Sequence, residues 1–415
     1  MFLIKPFFVA LMFSSFIYLE YFFGLNSFLE FLNTVFAIVA IGYILTLKPK
    51  QLFIAGFFIG VFWFYWISFS FRYYDLTYLA PFVVLVIGAV YGGLFLILSL
   101  FQNYIARAFI FIFLFTLIEP FGFNWFKPEL LFVNSFFDNH LQFYVISFLI
   151  ALALSLEKLN TQLKLAKYLY ITAITTLLVA LFYVDFKFSN SAVAKSNLNI
   201  YLADTNLSQD RKWDREYLNE IVQSNLDIID SAIDQNYDLV VLPESAFPVF
   251  LSEEPMIVDI LKDKSKNIAI YTGALRLEDN SFYNSAFLFH KNSIEIADKV
   301  ELVPFGEEIP FPSFIGKFFN SIFFDGAMDY VTSKKPFDFN ISGEIFRNAI
   351  CFEATVDSMY EDSPDFFMVI SNNAWFTPST EPTLQRIFLR FYAKKYNKTI
   401  YHSNNMSRSE VIFGD

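Results

Sequence analysis

Hydrophobic and polar positions divide the chain into two unlike halves. Up to about residue 187 the apolar positions form long runs, at about 6–23, 27–47, 52–71, 79–101, 105–119, 141–156 and 167–186. A hydrocarbon core about 30 Å thick takes roughly 20 helical residues to cross. The runs therefore predict seven membrane-spanning helices, the fifth and sixth short. The first run follows Lys5 as in a signal peptide, but it carries Glu20, lacks a small-x-small cleavage site and precedes further spans, so it is read as retained. From Ser189 the pattern shortens. "NLNIYLAD" (197–204), "YDLVVLPES" (237–245), "NIAIYTGALRL" (267–277), "YNSAFLFHKNS" (283–293), "EIFRNAICFEA" (344–354), "DFFMVISNNAWF" (365–376) and "TIYHSNN" (399–405) predict strands. Across 213–235, Leu218, Ile221, Val222, Leu226, Ile229 and Ile233 recur at helical spacing, and a second helix is predicted at about 383–397. Continuous apolar strand runs imply sheets covered on both faces, as in layered α/β folds.

Charge sharpens this division. Residues 1–187 hold 10 Lys/Arg and 8 Asp/Glu, a net of +2; residues 188–415 hold 20 and 33, a net of −13. An acidic domain lacks the clustered cations that neutralise phosphates, which excludes nucleic acid as a partner. With the N-terminus in the cytoplasm, the inner segments collect Lys5, Lys48, Lys50, Arg107, Lys158, Lys164 and Lys167, and the outer loops only Arg72 and Lys127. Seven spans then put the acidic domain on the periplasmic side. The outer loop 119–140 is rich in aromatics, and Phe121, Phe123, Trp125 and Phe126 suit the headgroup zone.

Candidate chemistry gathers at predicted strand ends. Glu244 follows "VVLP", Lys299 lies in "ADKVELVPFGEEIPF", and Cys351, the one cysteine of the chain, follows "RNAI". A carboxylate suits removal of a thiol proton, and an ammonium suits stabilisation of a thiolate and a developing oxyanion. Each residue also has a bland reading: a small buried hydrophobe for the cysteine, a structural ion pair for the other two. His140, His290 and His402 lie far apart without metal-ligand spacing, so no metal and no cofactor is expected.

Five stretches in order, "LPESAFP", "YNSAFLF", "DKVELVPFGEEIPF", "AICFEA" and "SNNAWF", resemble the nitrilase superfamily, with its catalytic Glu, Lys and Cys matching Glu244, Lys299 and Cys351. The seven spans narrow the resemblance to the apolipoprotein N-acyltransferase family. It implies a multi-pass α-helical membrane domain (1–187) followed by an α/β nitrilase-like domain (188–415) folded as an α-β-β-α sandwich. It also implies location in the bacterial inner membrane, with a membrane phospholipid as acyl donor and a diacylglyceryl apolipoprotein as acceptor. The implied reaction is a two-step transfer through a Cys351 thioester, the last step of lipoprotein maturation. By the same resemblance Glu307 matches a second essential glutamate and Glu353 the acidic residue two beyond the cysteine. Trp213 and Trp375 match aromatics on mobile arms, and Asn284 belongs to the supporting set. The aromatic segment 311–324 has the bulk of an interfacial arm, with core packing the alternative, and the outer loop shifts toward a role in lipid entry. Three positions depart from the family pattern. Phe352 stands where tyrosine is common, the glycine after the Trp375–Phe376 pair is absent with Gln385 aligning poorly beyond it, and the family continues past the position of Asp415 to a last membrane helix. The domain is thus expected to be short at its C-terminus. A membrane-tethered carbon–nitrogen hydrolase and a non-catalytic transporter or scaffold are the competing readings; few ionisable residues in the spans weigh against transport.

Overall fold

The structure is a computed structural model that describes residues 3–158, 168–179, 193–304, 306–307 and 330–414. The expected boundary at 187–188 and the aromatic segment 311–324 lie outside the described residues. Two compact units emerge, one of Met1–Ser191 with Pro378–Phe391 (and Asp415), the other of Ala192–Thr377 with Tyr392–Gly414.

In the first unit each expected apolar run contains a helix or a helix pair. These are α1 (Ile4–Phe13) and α2 (Ser15–Phe23), α3 (Ser27–Thr46), α4 (Pro49–Phe64), α5 (Ala80–Ile97), α6 (Tyr104–Leu117), α7 (Gln142–Glu157) and α8 (Tyr168–Val179). Among the described residues, Ser27–Thr46, Pro49–Tyr73 and Thr77–Leu100 are long and apolar enough to cross a membrane. The first run is broken: α1 and α2 meet at 61°, and count as one further span only if taken together. Helix starts follow from local chemistry. Asn26 accepts from the Leu29 amide at the head of α3, Asn103 caps α6, and Pro49 opens α4 where no amide is needed. Gly56 and Gly60 let α4 approach α5 closely, since a Cβ at Gly56 would stand 2.6 Å from the Cβ of Phe95.

The loop 119–140 departs from its expected place. Phe121 is exposed, but Trp125 and Phe126 are buried. The Phe126 ring sits 4.7 Å from Trp63, 4.8 Å from Tyr91 and 4.7 Å from Phe115. Asn33 ties the loop down by donating to the carbonyls of Leu131 and Asn134, and Thr34 accepts from the Phe136 amide. Burying two aromatic rings outweighs leaving them at a headgroup boundary once the loop's polar backbone has partners inside. Glu20 is also buried. It pairs with Arg386 at 3.1 Å and Arg390 at 2.9 Å and accepts from Asn134.

The second unit holds two six-stranded sheets. The first contains β1 (Ile200–Leu202), β3 (Leu239–Val241), β4 (Phe247–Phe250), β5 (Ala269–Glu278), β6 (Ser281–His290) and β7 (Ser293–Asp298), in the order β1-β3-β5-β6-β7 with β4 beside β5. The second contains β2 (Asp204–Thr205), β8 (Asp338–Ile341), β9 (Glu344–Ile350), β10 (Phe366–Asn372), β11 (Thr399–Asn405) and β12 (Glu410–Ile412), in the order β12-β11-β10-β9-β8 with β2 beside β11. Pairing is parallel for β1-β3-β5 and for β9-β10-β11, and antiparallel at the hairpins. The sheets pack face to face through Val241, Tyr271 and Leu288 on one side and Phe346, Met368 and Ile370 on the other. The outer face of the first sheet is covered by α10 (Leu218–Asp234) and α11 (Pro255–Lys264), with Leu226, Ile229 and Leu261 buried against Val240, Ile270 and Phe287. Over the second sheet Tyr360 stacks on Phe367 at 4.4 Å and on Tyr392 at 4.8 Å, Tyr392 lying in the last part of the helix Glu381–Tyr396. This is the expected α-β-β-α layering. The strands expected at 344–354 and 365–376 stop earlier, at Ile350 and Asn372, because 3₁₀ turns begin at Cys351 and Asn373.

Candidate active site

Parallel strands deliver the candidate residues at their carboxyl ends. Glu244 follows β3, where Pro243 ends the ladder and Ser245 turns the chain at φ +49°. Cys351 follows β9, and Trp375 lies three residues beyond the parallel neighbour β10. Lys299 follows β7, its amide donating to the Asn284 carbonyl on β6. Beside Glu244 runs Gly273 of β5. A Cβ there would stand 2.7 Å from both the Glu244 Cα and the Ser245 nitrogen.

Lys299 is 0% exposed. Its Nζ lies 2.7 Å from Glu307 Oε2 and 4.0 Å from Glu244 Oε1. Asn284 Nδ2 donates to Glu244 Oε1 at 2.8 Å and to Glu307 Oε1 at 2.9 Å, so one amide holds both carboxylates toward one ammonium. Glu307 also accepts from the Val303 amide. Burial alone would strip the Lys299 proton, but Glu307, Glu244 and Cys351 hold its pKa above the usual lysine value. Burial raises the Glu244 carboxyl, with Glu307 adding to the rise and Lys299, Asn284 and Lys212 opposing it.

Cys351 is half-buried at φ +55°, a left-handed conformation that is strained for a residue with a Cβ. It opens the 3₁₀ turn Cys351–Thr355, in which Phe352 is buried. Glu353 fastens this turn to the lysine segment: it accepts from the amides of Ile350 at 2.6 Å, Val300 at 2.7 Å and Glu301 at 3.3 Å. Burial pushes its pKa up to about 7, against the opposing pull of Lys299 and those amides. Trp213 is 43% exposed at the end of the short helix α9 (Gln209–Lys212). That helix is held at both ends, by Asn372 donating to Gln209 and by Lys212 donating to the Glu244 carbonyl. Glu244, Lys299, Asn284, Glu307, Cys351 and Glu353 thus form one connected group, with Trp213 attached through Lys212. Two members were not legible as such: Lys212, although it stands in "KWD", and Gly273, although a glycine inside a strand marks close backbone approach. Among the described residues no cluster of three His, Cys, Asp or Glu is arranged to hold a metal ion.

Known proteins place this arrangement. The apolipoprotein N-acyltransferase integral membrane domain, as a family model, matches residues 1–183. The apolipoprotein N-acyltransferase of Wolinella succinogenes is 43% identical over 407 residues, covering 98% of this chain and 94% of that protein. The chain belongs to the apolipoprotein N-acyltransferase family. The Helicobacter pylori member is 42% identical over 87% of this chain and 82% of its own length, and the Campylobacter jejuni member 36% over 99% and 89%. A CN-hydrolase superfamily protein of Xanthomonas campestris superposes at a TM-score of 0.40 with 15% identity, over 53% of this chain and 84% of that one. Membership of the acyltransferase family makes the chain a multi-pass membrane protein, and it gives the Glu–Lys–Cys geometry a reaction to be tested against.

Proposed function

We propose that this chain transfers an acyl group from a membrane phospholipid to the α-amine of an S-diacylglyceryl-cysteine at the N-terminus of an apolipoprotein, with Cys351 as acyl carrier. The observation that carries the reading is the buried Lys299 between Glu307 and Glu244, electrostatically coupled to a cysteine on a strained turn. In the first half-reaction Glu244 takes the thiol proton as the sulfur attacks the ester carbonyl. The C–S bond forms, the ester C–O bond breaks, and Glu244 returns the proton to the departing lysophospholipid oxygen. In the second the amine attacks the thioester, the C–S bond breaks, and the amine proton passes through Glu244 to the sulfur. Lys299 balances the thiolate and the tetrahedral oxyanion, and the buried setting makes that balance strong. Glu307 and Asn284 keep Lys299 and Glu244 in register, Glu353 holds the cysteine turn against the lysine segment, and Trp213, Phe352 and Trp375 line the approach for the acyl chain.

Residues 1–187 act as the membrane domain and 188–415 as the catalytic domain, which the excess of Lys and Arg in inner segments puts on the periplasmic side. Both lipid substrates then meet the site without leaving the bilayer. Full-length protein incubated with phospholipid alone should gain one acyl mass on Cys351, and the Cys351→Ala variant none. No adduct, or an adduct unchanged in the variant, refutes the acyl-enzyme. Adding a diacylglyceryl peptide should yield N-acyl peptide; free fatty acid with unmodified peptide would instead indicate a hydrolase. A membrane-impermeant thiol reagent should reach Cys351 from the periplasmic side only.

A further inference from the structure

We infer that Lys212 is a positioning residue for the acylation step, acting through Glu244 by fixing its backbone and lending it a second positive charge. The inference rests on Glu244 being the general base.

Lys212 is 2% exposed, and its Nζ donates to the Glu244 carbonyl at 3.1 Å. Among the described residues that carbonyl is its hydrogen-bond partner, and no carboxylate oxygen lies within ion-pair distance. A buried ammonium held by one neutral acceptor is costly in stability, and structural packing alone would be served by a leucine or methionine. What the charge does is visible from Glu244. The charged groups facing that carboxyl are Lys299, Glu307 and Lys212, with Asn284 donating to it. Lys299 is shared with Glu307 and with Cys351, so its charge is already divided among three groups. Lys212 approaches from the opposite chain segment, at the end of α9, and serves Glu244 alone. Burial lowers its pKa to about 8 while Glu244 opposes the fall, so it is charged throughout the acid range in which Glu244 must lose its proton. The same bond fixes the root of the exposed Trp213 to the base.

The sign follows directly. Removing a cation near Glu244 raises the carboxyl pKa, leaves more of it protonated at low pH, and moves the acid limb of the acylation rate upward. The test measures acyl-adduct formation on Cys351 against pH for wild type, K212M, K212Q, K212R and E244Q, with melting temperature alongside. Lys212→Met and Lys212→Gln should shift the acid limb upward by about one pH unit, Lys212→Arg should leave it in place, and K212M should melt no lower than wild type because a buried charge has gone. An unmoved limb, a rate lowered equally at every pH, or a K212M variant that melts lower or fails to fold overturns the inference and makes Lys212 structural. Full acylation by E244Q would instead overturn the role of Glu244 as base, whatever the lysine variants do.

Discussion

Replacing Gly273 by alanine tests whether the placement of Glu244 matters, without touching any group that takes part in the reaction. A Cβ at this position meets the Glu244 Cα and the Ser245 nitrogen at 2.7 Å, and Ile370 Cδ1 of the facing sheet at 3.0 Å. Ordinary contact begins at 3.4 Å, so about 0.7 Å must be found. The strand has no room to retreat, because Ile370 stands on the same side and β5 is laced to β3 and β6. The turn carrying Glu244 therefore moves. Displaced along the line of contact, the Asn284–Glu244 bond stretches from 2.8 Å to about 3.5 Å, beyond hydrogen-bond range, and the Lys299–Glu244 separation grows past its 4.0 Å. A misplacement of this size costs on the order of 10- to 100-fold in rate, and overpacking costs about 1–3 kcal/mol of stability. The assay is single-turnover acylation of Cys351 by a phospholipid, followed by intact mass, with thermal melting of the same sample. A folded G273A protein that acylates within twofold of wild type would show that Glu244 is not held by this contact.

Three further outcomes follow from the site. Because Cys351 sits at φ +55°, Cys351→Gly should be more stable than Cys351→Ala by about 1 kcal/mol, read as a higher melting temperature; the reverse order would contradict the strained turn. Lys299→Met leaves Glu244 and Glu307 sharing Asn284 without their cation. Acylation should fall about a thousandfold, and the variant should be least stable at neutral pH and recover toward acid as a carboxyl takes up a proton. Glu353 has a folded pKa raised from 4.5 to about 7, so the unfolded chain loses this proton first. The melting-temperature difference between wild type and Glu353→Gln should therefore fall as pH rises from about 4.5 to about 7 and level off above; a difference that grows with pH would place the Glu353 pKa below its ordinary value.

What could be read from the sequence divides by physical range. Runs of apolar residues and the three chemical letters Glu244, Lys299 and Cys351 are local signals, and each led to an element or a strand end where it was expected. β4, β7, β8, β12 and α11 were not foreseen, since "SIEIAD" and "DFNI" alternate too briefly to stand apart from polar loop, and they form because a paired edge awaits them. The inward turn of Trp125 and Phe126 was hidden for a related reason. Aromatic composition looks the same at a headgroup boundary and inside a helical unit, and only the amide of Asn33 and the rings of Trp63, Tyr91 and Phe115 decide between them. Most instructive are Lys212 and Gly273, which lie 61 positions apart and meet at Glu244 from opposite segments. Neither has chemistry of its own to display: one offers a charge to a carbonyl, the other the lack of a Cβ. A carboxylate read from sequence as a base is thus incomplete until the groups that hold its backbone are known, and at Glu244 those groups carry the test of whether it is the base at all.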